Sequence, residues 1–123
     1  MDKPYKLLII DDNKEILSAL SDFLRKKKYD VVSASDGLEG LKFLETEKQI
    51  FDLVITDLVM PNISGVGLIS IIKNKFPDIP VIAITGWGEH PEALAIEVKV
   101  DRVLEKPFDL SELDTLIREL LSP

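Results

Sequence analysis

The sequence predicts a doubly wound α/β fold, with a five-stranded parallel sheet covered by five helices. Short, continuous apolar runs recur five times along the 123 residues. Stretches with helical periodicity alternate with these runs, as expected for βαβ units with right-handed crossovers. Because the runs are apolar throughout rather than at every second residue, we expect strands that are buried on both faces.

The first half of the chain sets this rhythm. Residues 7–10 form an aliphatic run, and residues 13–28 follow with apolar side chains on one helical face, with Asn13 as a plausible N-cap. Asp30–Ala34 is predicted as the second strand. A second helix is expected from Gly37, with a stripe of Leu38, Leu41 and Leu44.

The second half repeats the pattern three times. Strands are predicted over residues 51–56, 81–84 and 100–105, and helices over residues 65–76, 91–98 and Leu110–Leu121. The stretch 91–98 has apolar residues all round rather than on one face. The last helix has its stripe at Leu113, Leu116, Ile117 and Leu120.

Composition indicates one ordinary globular domain over residues 1–123, with 46% apolar and 30% charged residues. The net charge of −7 disfavours direct nucleic-acid binding and attraction to anionic membranes. The absence of cysteine excludes disulfides, thiolate zinc sites and cysteine nucleophiles. No apolar run approaches the length of a membrane span, and the first residues do not resemble a signal peptide, so a cytoplasmic location is expected.

Polar residues with chemical potential follow the predicted strands. Asp11 and Asp12 follow the first, Asp57 the third, Thr85 the fourth and Lys106 the fifth. In open α/β sheets, ligands bind at the carboxyl ends of the strands. We therefore expect these five side chains to form one site.

Three carboxylates in one crevice repel one another, at about 4 kcal/mol for a pair about 4 Å apart at an effective dielectric constant near 20. A divalent cation such as Mg²⁺ offsets this repulsion, so Asp11, Asp12 and Asp57 are candidate magnesium ligands, directly or through water. An ionised Asp57 can attack a phosphoryl group, while Lys106 and Thr85 hold its oxygens.

Four segments in this order resemble the receiver domain of two-component response regulators: LLIIDDN, DLVITDLVMPNISG, VIAITG and VLEKPF. The resemblance covers essentially the whole chain. It implies a flavodoxin-like sheet of order 2-1-3-4-5, as in chemotaxis regulators. It also implies phosphorylation of Asp57 by a histidine kinase or histidine phosphotransfer protein, with Mg²⁺ held by Asp11, Asp12, Asp57 and the backbone carbonyl of Val59. A cis Lys106–Pro107 bond is implied as well.

The same resemblance sets further expectations. It implies a signalling domain rather than an enzyme with turnover, one that promotes its own phosphorylation and dephosphorylation. Partners would be the kinase or phosphotransfer protein and a downstream protein, and the chain would be a monomer or weak dimer. The TGWG and VDRVLEKPF segments resemble receivers attached to hybrid sensor kinases, which favours a domain from a larger chain over a stand-alone protein.

Three positions bear on signal readout. Receivers usually have Tyr or Phe three residues before the strand-end lysine, and this chain has Val103. In such receivers the rotamer of the aromatic side chain responds to the threonine hydroxyl. Whether this chain changes conformation in that way is therefore in question. Val59 and Trp87 flank the acceptor and Thr85, and we expect Val59→Asn or Trp87→Glu to alter dephosphorylation by changing water access.

Other functions fit the sequence less well. A phosphatase of the haloacid dehalogenase type carries D-x-D, but the second acid is missing after both Asp11 and Asp57. A flavin or nucleotide module would need a glycine-rich phosphate loop, and none follows a predicted strand. A receiver that is not phosphorylated would be expected to lack some of the five site residues. Taken singly, these residues also have a purely structural interpretation: Asp11 or Asp12 as a helix cap, Thr85 as a strand residue and Lys106 as a surface lysine.

Overall fold

The computed structural model describes residues 4–46, 50–58, 65–86 and 100–122. The strands are β1 (Lys6–Ile10), β2 (Asp30–Ala34), β3 (Leu53–Asp57), β4 (Val81–Thr85) and β5 (Arg102–Glu105). The helices within these ranges are α1 (Lys14–Lys26), α2 (Gly37–Glu45), α3 (Gly65–Lys75) and α4 (Leu110–Leu121).

All neighbouring strands pair in parallel, in the order β2-β1-β3-β4-β5. The predicted doubly wound fold and its strand order are therefore confirmed, with four of the five predicted helices. The fifth, expected over residues 91–98, lies outside the described residues, as do Val59 and Trp87.

The sheet separates two apolar layers. On one face, alternate strand residues pack with α1 and α4; on the other, the intervening residues pack with α2 and α3. The first layer includes Leu7, Ile9, Leu20, Leu24, Leu53, Ile55, Leu113 and Ile117. The second includes Leu8, Ile10, Leu44, Val54, Leu68, Ile69, Ile72 and Val81. Burial on both faces explains why the strand sequences are apolar throughout.

Local signals place both ends of α1. The Asn13 side chain caps the helix, accepting from the N–H groups of Glu15 and Ile16. The predicted end at Lys28 is two residues too late. Lys28 has a positive φ of 76°, which is incompatible with a continuing right-handed helix.

The stripe predicted for α2 is wrong in its first residue. Leu44 is buried and Leu41 is half-buried, but Leu38 is 58% exposed. The buried face of the first turns is formed instead by Gly37 and Gly40. A Cβ on Gly40 would lie 2.4 Å from Cδ1 of Ile10, so only glycine fits this approach of α2 to β1 without rearrangement.

Two carboxylates tie together the amino ends of neighbouring strands. Asp52 precedes β3, and its Oδ2 accepts from the N–H of Lys6, the first residue of β1, at 2.7 Å. Asp101 precedes β5, and its Oδ2 accepts from the N–H of Val81, the first residue of β4, also at 2.7 Å. Lys73 of α3 adds an ion pair to Asp101 at 3.0 Å.

A polar cluster of Tyr29, Asp114 and Arg118, here the Tyr29 cluster, connects the start of β2 with α4. The Tyr29 hydroxyl donates to Oδ1 of Asp114 at 2.9 Å, and Arg118 donates to Oδ2. Asp114 is only 3% exposed, so its charge is satisfied by hydrogen bonds within the protein.

No helix within the described ranges is both long and apolar enough to cross a membrane.

Candidate phosphoacceptor site

Asp57 is the last residue of β3 and is 4% exposed. Its Oδ2 lies 2.8 Å from Nζ of Lys106, which follows β5. The two residues are 49 positions apart in sequence and meet because β3 and β5 flank β4 in the sheet. The structure thus brings together the predicted acceptor and the predicted lysine.

Lys106 is held at this position by its backbone. Its N–H donates to the carbonyl of Thr85 at 2.9 Å, which extends the pairing of β4 and β5 by one residue. The following Lys106–Pro107 bond is cis, as the family resemblance implies.

Asp11 follows β1 and is 1% exposed. Its Oδ1 accepts from the N–H of Asn13 at 2.8 Å. Its Oδ2 is buried and has no hydrogen-bond partner among the described residues. Burial, followed by the nearby charge of Asp57, raises the pKa of Asp11, although the Asn13 N–H and Lys106 act in the opposite direction.

Asp12 is exposed, in contrast to Asp11. Within the described ranges, no three acidic or histidine side chains are grouped closely enough to form a metal site on their own. Magnesium commonly takes only one or two carboxylates and keeps several waters, so Asp11 and Asp57 fit a magnesium site. The buried Oδ2 of Asp11, which has no partner in the described ranges, is an oxygen that such a cation would satisfy. Val59, whose carbonyl completes the expected ligand set, lies outside the described residues.

Thr85 is the last residue of β4 and is fully buried. Its Oγ1 has no hydrogen-bond partner in the described part of the chain. A buried hydroxyl without a partner is costly, so this group is suited to donate to an oxygen that arrives with a ligand. Val103 lies on the neighbouring strand, opposite Ala83, and is partly exposed.

One role of Asn13 was not predicted from the sequence. Asn13 was expected only to cap α1, and the structure shows that its backbone N–H also orients Asp11. Neither Asp11 nor Asp12 is the N-cap of α1. The only sequence signal for this arrangement is that Asn13 directly follows the two acids.

Taken together, the carboxyl ends of the strands hold a buried carboxylate and an ammonium group in contact with it. They also hold a second carboxylate oxygen and a hydroxyl that have no partner among the described residues. Such a set can accept a group that carries several negatively charged oxygens. A carboxylate can attack phosphorus without a separate base to remove a proton.

Comparison with known proteins agrees with this geometry. Residues 7–118 match the family described as the response regulator receiver domain. The chain is 32% identical over 117 residues to the alkaline phosphatase synthesis transcriptional regulatory protein PhoP of Bacillus subtilis, covering 94% of this chain and 48% of that protein. The chain spans between 27% and 50% of the length of the first curated relatives that it matches.

Solved structures show the same fold. A response regulator receiver domain protein from Clostridium thermocellum has a TM-score of 0.88 and 32% identity, with 95% of this chain and 94% of that chain covered. The response regulator TrrA of Thermotoga maritima, solved in complex with Mg(2+)-BeF, has a TM-score of 0.84 and 29% identity, with 95% and 99% covered.

Proposed function

This chain belongs to the response regulator receiver domains of two-component systems, and we propose that it accepts a phosphoryl group on Asp57. The observation that carries the proposal is the buried Asp57 carboxylate at a strand end, with Nζ of Lys106 2.8 Å from its Oδ2. The donor is a phosphohistidine of a histidine kinase or histidine phosphotransfer protein.

The transfer forms one bond and breaks one. An oxygen of the Asp57 carboxylate bonds to phosphorus as the bond between phosphorus and the histidine nitrogen breaks, and that nitrogen leaves with the bonding electrons. Lys106 pairs with one phosphoryl oxygen, and the Thr85 hydroxyl donates to another. These residues promote both phosphorylation and the later hydrolysis, so the domain is a signalling element and not an enzyme with its own substrate.

Magnesium is the proposed cofactor, with Asp11, Asp57, the exposed Asp12 through water and the Val59 carbonyl as its ligands. The cation would offset the repulsion between these carboxylates and the incoming phosphoryl oxygens. Support comes from the buried Oδ2 of Asp11, which lacks a partner within the part of the chain that the structure describes, and from the Mg(2+)-BeF complex of the Thermotoga maritima relative.

Phosphorylation would alter the surface near Thr85 and Lys106. A phosphoryl group adds about 1.5 to 2 negative charges, and the Thr85 hydroxyl gains an acceptor by moving toward it. In receivers with Tyr or Phe at the position of Val103, that ring responds to movement of the threonine hydroxyl. Val103 has no ring, so the change would be confined to the backbone of this edge of the sheet.

That change is measurable by NMR. We expect beryllium fluoride with Mg²⁺ to shift the backbone amides of the β4 end and of residues 102–106. Shifts limited to Asp57 and the residues next to it in sequence would contradict the conformational switch but not phosphorylation.

The wider assignments are also proposals. We propose that residues 1–123 form one receiver domain, a monomer or weak dimer, that acts in the cytoplasm through a downstream protein. The relatives include transcriptional regulators of two to four times this length. Any nucleic-acid binding is therefore proposed to belong to regions beyond the receiver, in keeping with the net charge of −7.

The direct test is incubation with acetyl phosphate and Mg²⁺, followed by intact mass measurement. We expect one added phosphoryl group on the unaltered protein and none on Asp57→Asn. Asp78→Asn, which changes an exposed acid distant from the site, serves as the matched control and should label normally. An unlabelled native protein would overturn the proposal.

A phosphatase of the same general chemistry gives a different result. It would turn over phosphate esters many times, whereas a receiver is labelled once per chain. Multiple turnover of p-nitrophenyl phosphate that depends on Asp57 would favour the enzyme.

A further inference from the structure

An open apolar groove lies at the amino ends of the strands, between the end of α2, the start of β3 and the turn after α3. Its volume is about 650 Å³, within the usual range of about 300 to 1,000 Å³ for ligand pockets. Its apolar lining consists of Leu44, Ile50, Phe51, Phe76 and Ile79. We call this feature the amino-end groove.

The amino-end groove is separate from the phosphoacceptor site. Asp52 lines the groove, and Asp57 is five residues further along β3. At about 3.3 Å per residue, roughly 16 Å of strand separates the two positions. None of Asp11, Asp57, Thr85 and Lys106 lines the groove.

Ile50 lies at the edge of the groove and is 80% exposed. Among the described residues, it is the most exposed of the large apolar side chains. Single exposed apolar residues are common, but this one extends a concave apolar surface that already contains two phenylalanine rings. Because Phe51 is only 4% exposed, a ligand with an apolar side chain would chiefly bury Ile50 and the half-buried Phe76 and Ile79.

The charged residues among the described lining are acidic, although Nζ of Lys6 lies 5.5 Å from the centre of the Phe51 ring. Glu45, Asp52 and Asp78 contribute carboxylates, and no lysine or arginine is among the described lining residues. Glu45 is paired with Lys75 at the exposed surface, at 3.0 Å. Asp78 is exposed and makes no ion pair or hydrogen bond within the described part of the chain.

We propose that the amino-end groove is a docking site for a short segment of a partner protein in which apolar side chains are flanked by lysine or arginine. The apolar floor would receive the apolar side chains, and the acidic rim would attract the flanking cations. This complementarity selects against acidic segments, because their charges would face Asp78 and Asp52.

A peptide probe tests the proposal on the full chain. We suggest an NMR titration with the acetylated and amidated peptide Lys-Lys-Leu-Phe-Lys-Lys. Saturable shifts are expected for the amides of residues 44–46, 50–52, 76, 78 and 79. A peptide with Glu in place of Lys, and one with Ser in place of Leu and Phe, should cause no saturable shifts there.

Two exposed residues provide variants that leave the core intact. Ile50→Ser should raise the Kd of the lysine peptide about tenfold, through loss of apolar contact. Asp78→Asn should raise it by about twofold to fivefold, as for an exposed ion pair. Leu38→Ser and Glu119→Gln, an exposed apolar and an exposed acidic residue outside the groove, are matched controls and should leave the Kd unchanged.

Several results would overturn the proposal. These are the absence of saturable shifts, shifts located at the Asp57 end of the sheet, equal binding of the glutamate peptide, or an unchanged Kd in Ile50→Ser. Phosphorylation of Asp57 is measured independently by intact mass, so failure of the docking proposal leaves the proposed function untouched.

Discussion

Lys106 connects the structure of the site to its chemistry. Its side chain is partly exposed while that of Asp57 is 5% exposed, so the lysine contacts the carboxylate from the solvent side. An incoming phosphoryl group would meet the ammonium group as it reaches Asp57. The ion pair therefore holds the cation where the proposed phosphoryl transfer would need it.

We predict that Lys106→Ala lowers the rate of Asp57 phosphorylation by acetyl phosphate about 10²-fold, because one charged donor to the phosphoryl oxygens is lost. The rate is measured by intact mass over time, with circular dichroism to verify folding. Lys75→Ala removes a lysine that pairs with Glu45 at the surface and should react at the native rate. An equal rate in Lys106→Ala would exclude this role.

In the same site, the burial of Asp11 lowers the stability of the fold. Its carboxylate is buried beside Asp57, and its Oδ2 lacks a partner among the described residues. We predict that Asp11→Asn raises the free energy of unfolding without Mg²⁺ by about 1 kcal/mol, since it removes a repelled buried charge. Urea denaturation measures this change. A large loss of stability would show that the Asp11 charge is instead well compensated.

At the scale of elements, the Tyr29 cluster links β2 to α4 across 85 positions of sequence. We predict that Tyr29→Phe lowers the free energy of unfolding by about 1–2 kcal/mol, because a buried carboxylate loses a donor. Tyr5→Phe is the matched control. The Tyr5 hydroxyl donates to the carbonyl of Leu121 at an exposed position, so its loss should cost less.

The same cluster predicts a pH dependence. Hydrogen bonding from Arg118, and secondarily from Tyr29, lowers the pKa of Asp114 below its ordinary value, although burial opposes this shift. A depressed folded-state pKa stabilises the protein above the unfolded pKa, and that contribution is lost as the pH falls through the folded value. The difference in unfolding free energy between the native protein and Asp114→Asn should therefore be constant between about pH 5 and about pH 9 and shrink below about pH 4. A constant difference down to pH 2 would contradict this.

Gly40 sets the distance between α2 and β1. Alanine normally favours a helix by about 1 kcal/mol over glycine, but its Cβ would lie 2.4 Å from Cδ1 and 2.9 Å from Cγ1 of Ile10. We predict that Gly40→Ala destabilises the protein by about 1–3 kcal/mol through overpacking. The cost should fall in an Ile10→Val background, which lacks Cδ1, and an equal cost in both backgrounds would show that the clash is not responsible.

These elements also show what sequence reasoning can reach. The continuous apolar runs and the polar residues after them predicted all five strands and the meeting of Asp57 with Lys106, because parallel strands bring their carboxyl ends to one edge. Leu38 was misassigned because helical periodicity does not distinguish large apolar residues from small ones. Where α2 comes close to β1 at Gly40, only small residues fit on the buried face of the helix. The Tyr29 cluster was missed because its members are far apart in sequence and singly unremarkable.

At the scale of the whole molecule, the proposed Mg²⁺ would affect the thermal stability of an acidic protein. We predict that millimolar Mg²⁺ raises the melting temperature, because a ligand that binds only the folded state stabilises it by mass action. The rise should be absent in Asp11→Asn, while Ca²⁺-free sodium chloride of equal ionic strength should not reproduce it. An equal rise in Asp11→Asn would place the cation elsewhere.

The two carboxylates at the strand beginnings have a consequence for how the sheet is aligned. Because both faces of the strands are apolar, a strand that slips by one residue would exchange one aliphatic face for the other, and hydrophobicity alone would barely penalise the error. Asp52 and Asp101 each bond the first N–H of the adjacent strand, β1 and β4 respectively. A slipped strand would lose the hydrogen bond from its first N–H to the carboxylate. These two acids therefore favour the native register in a sheet whose interior is almost uniformly apolar.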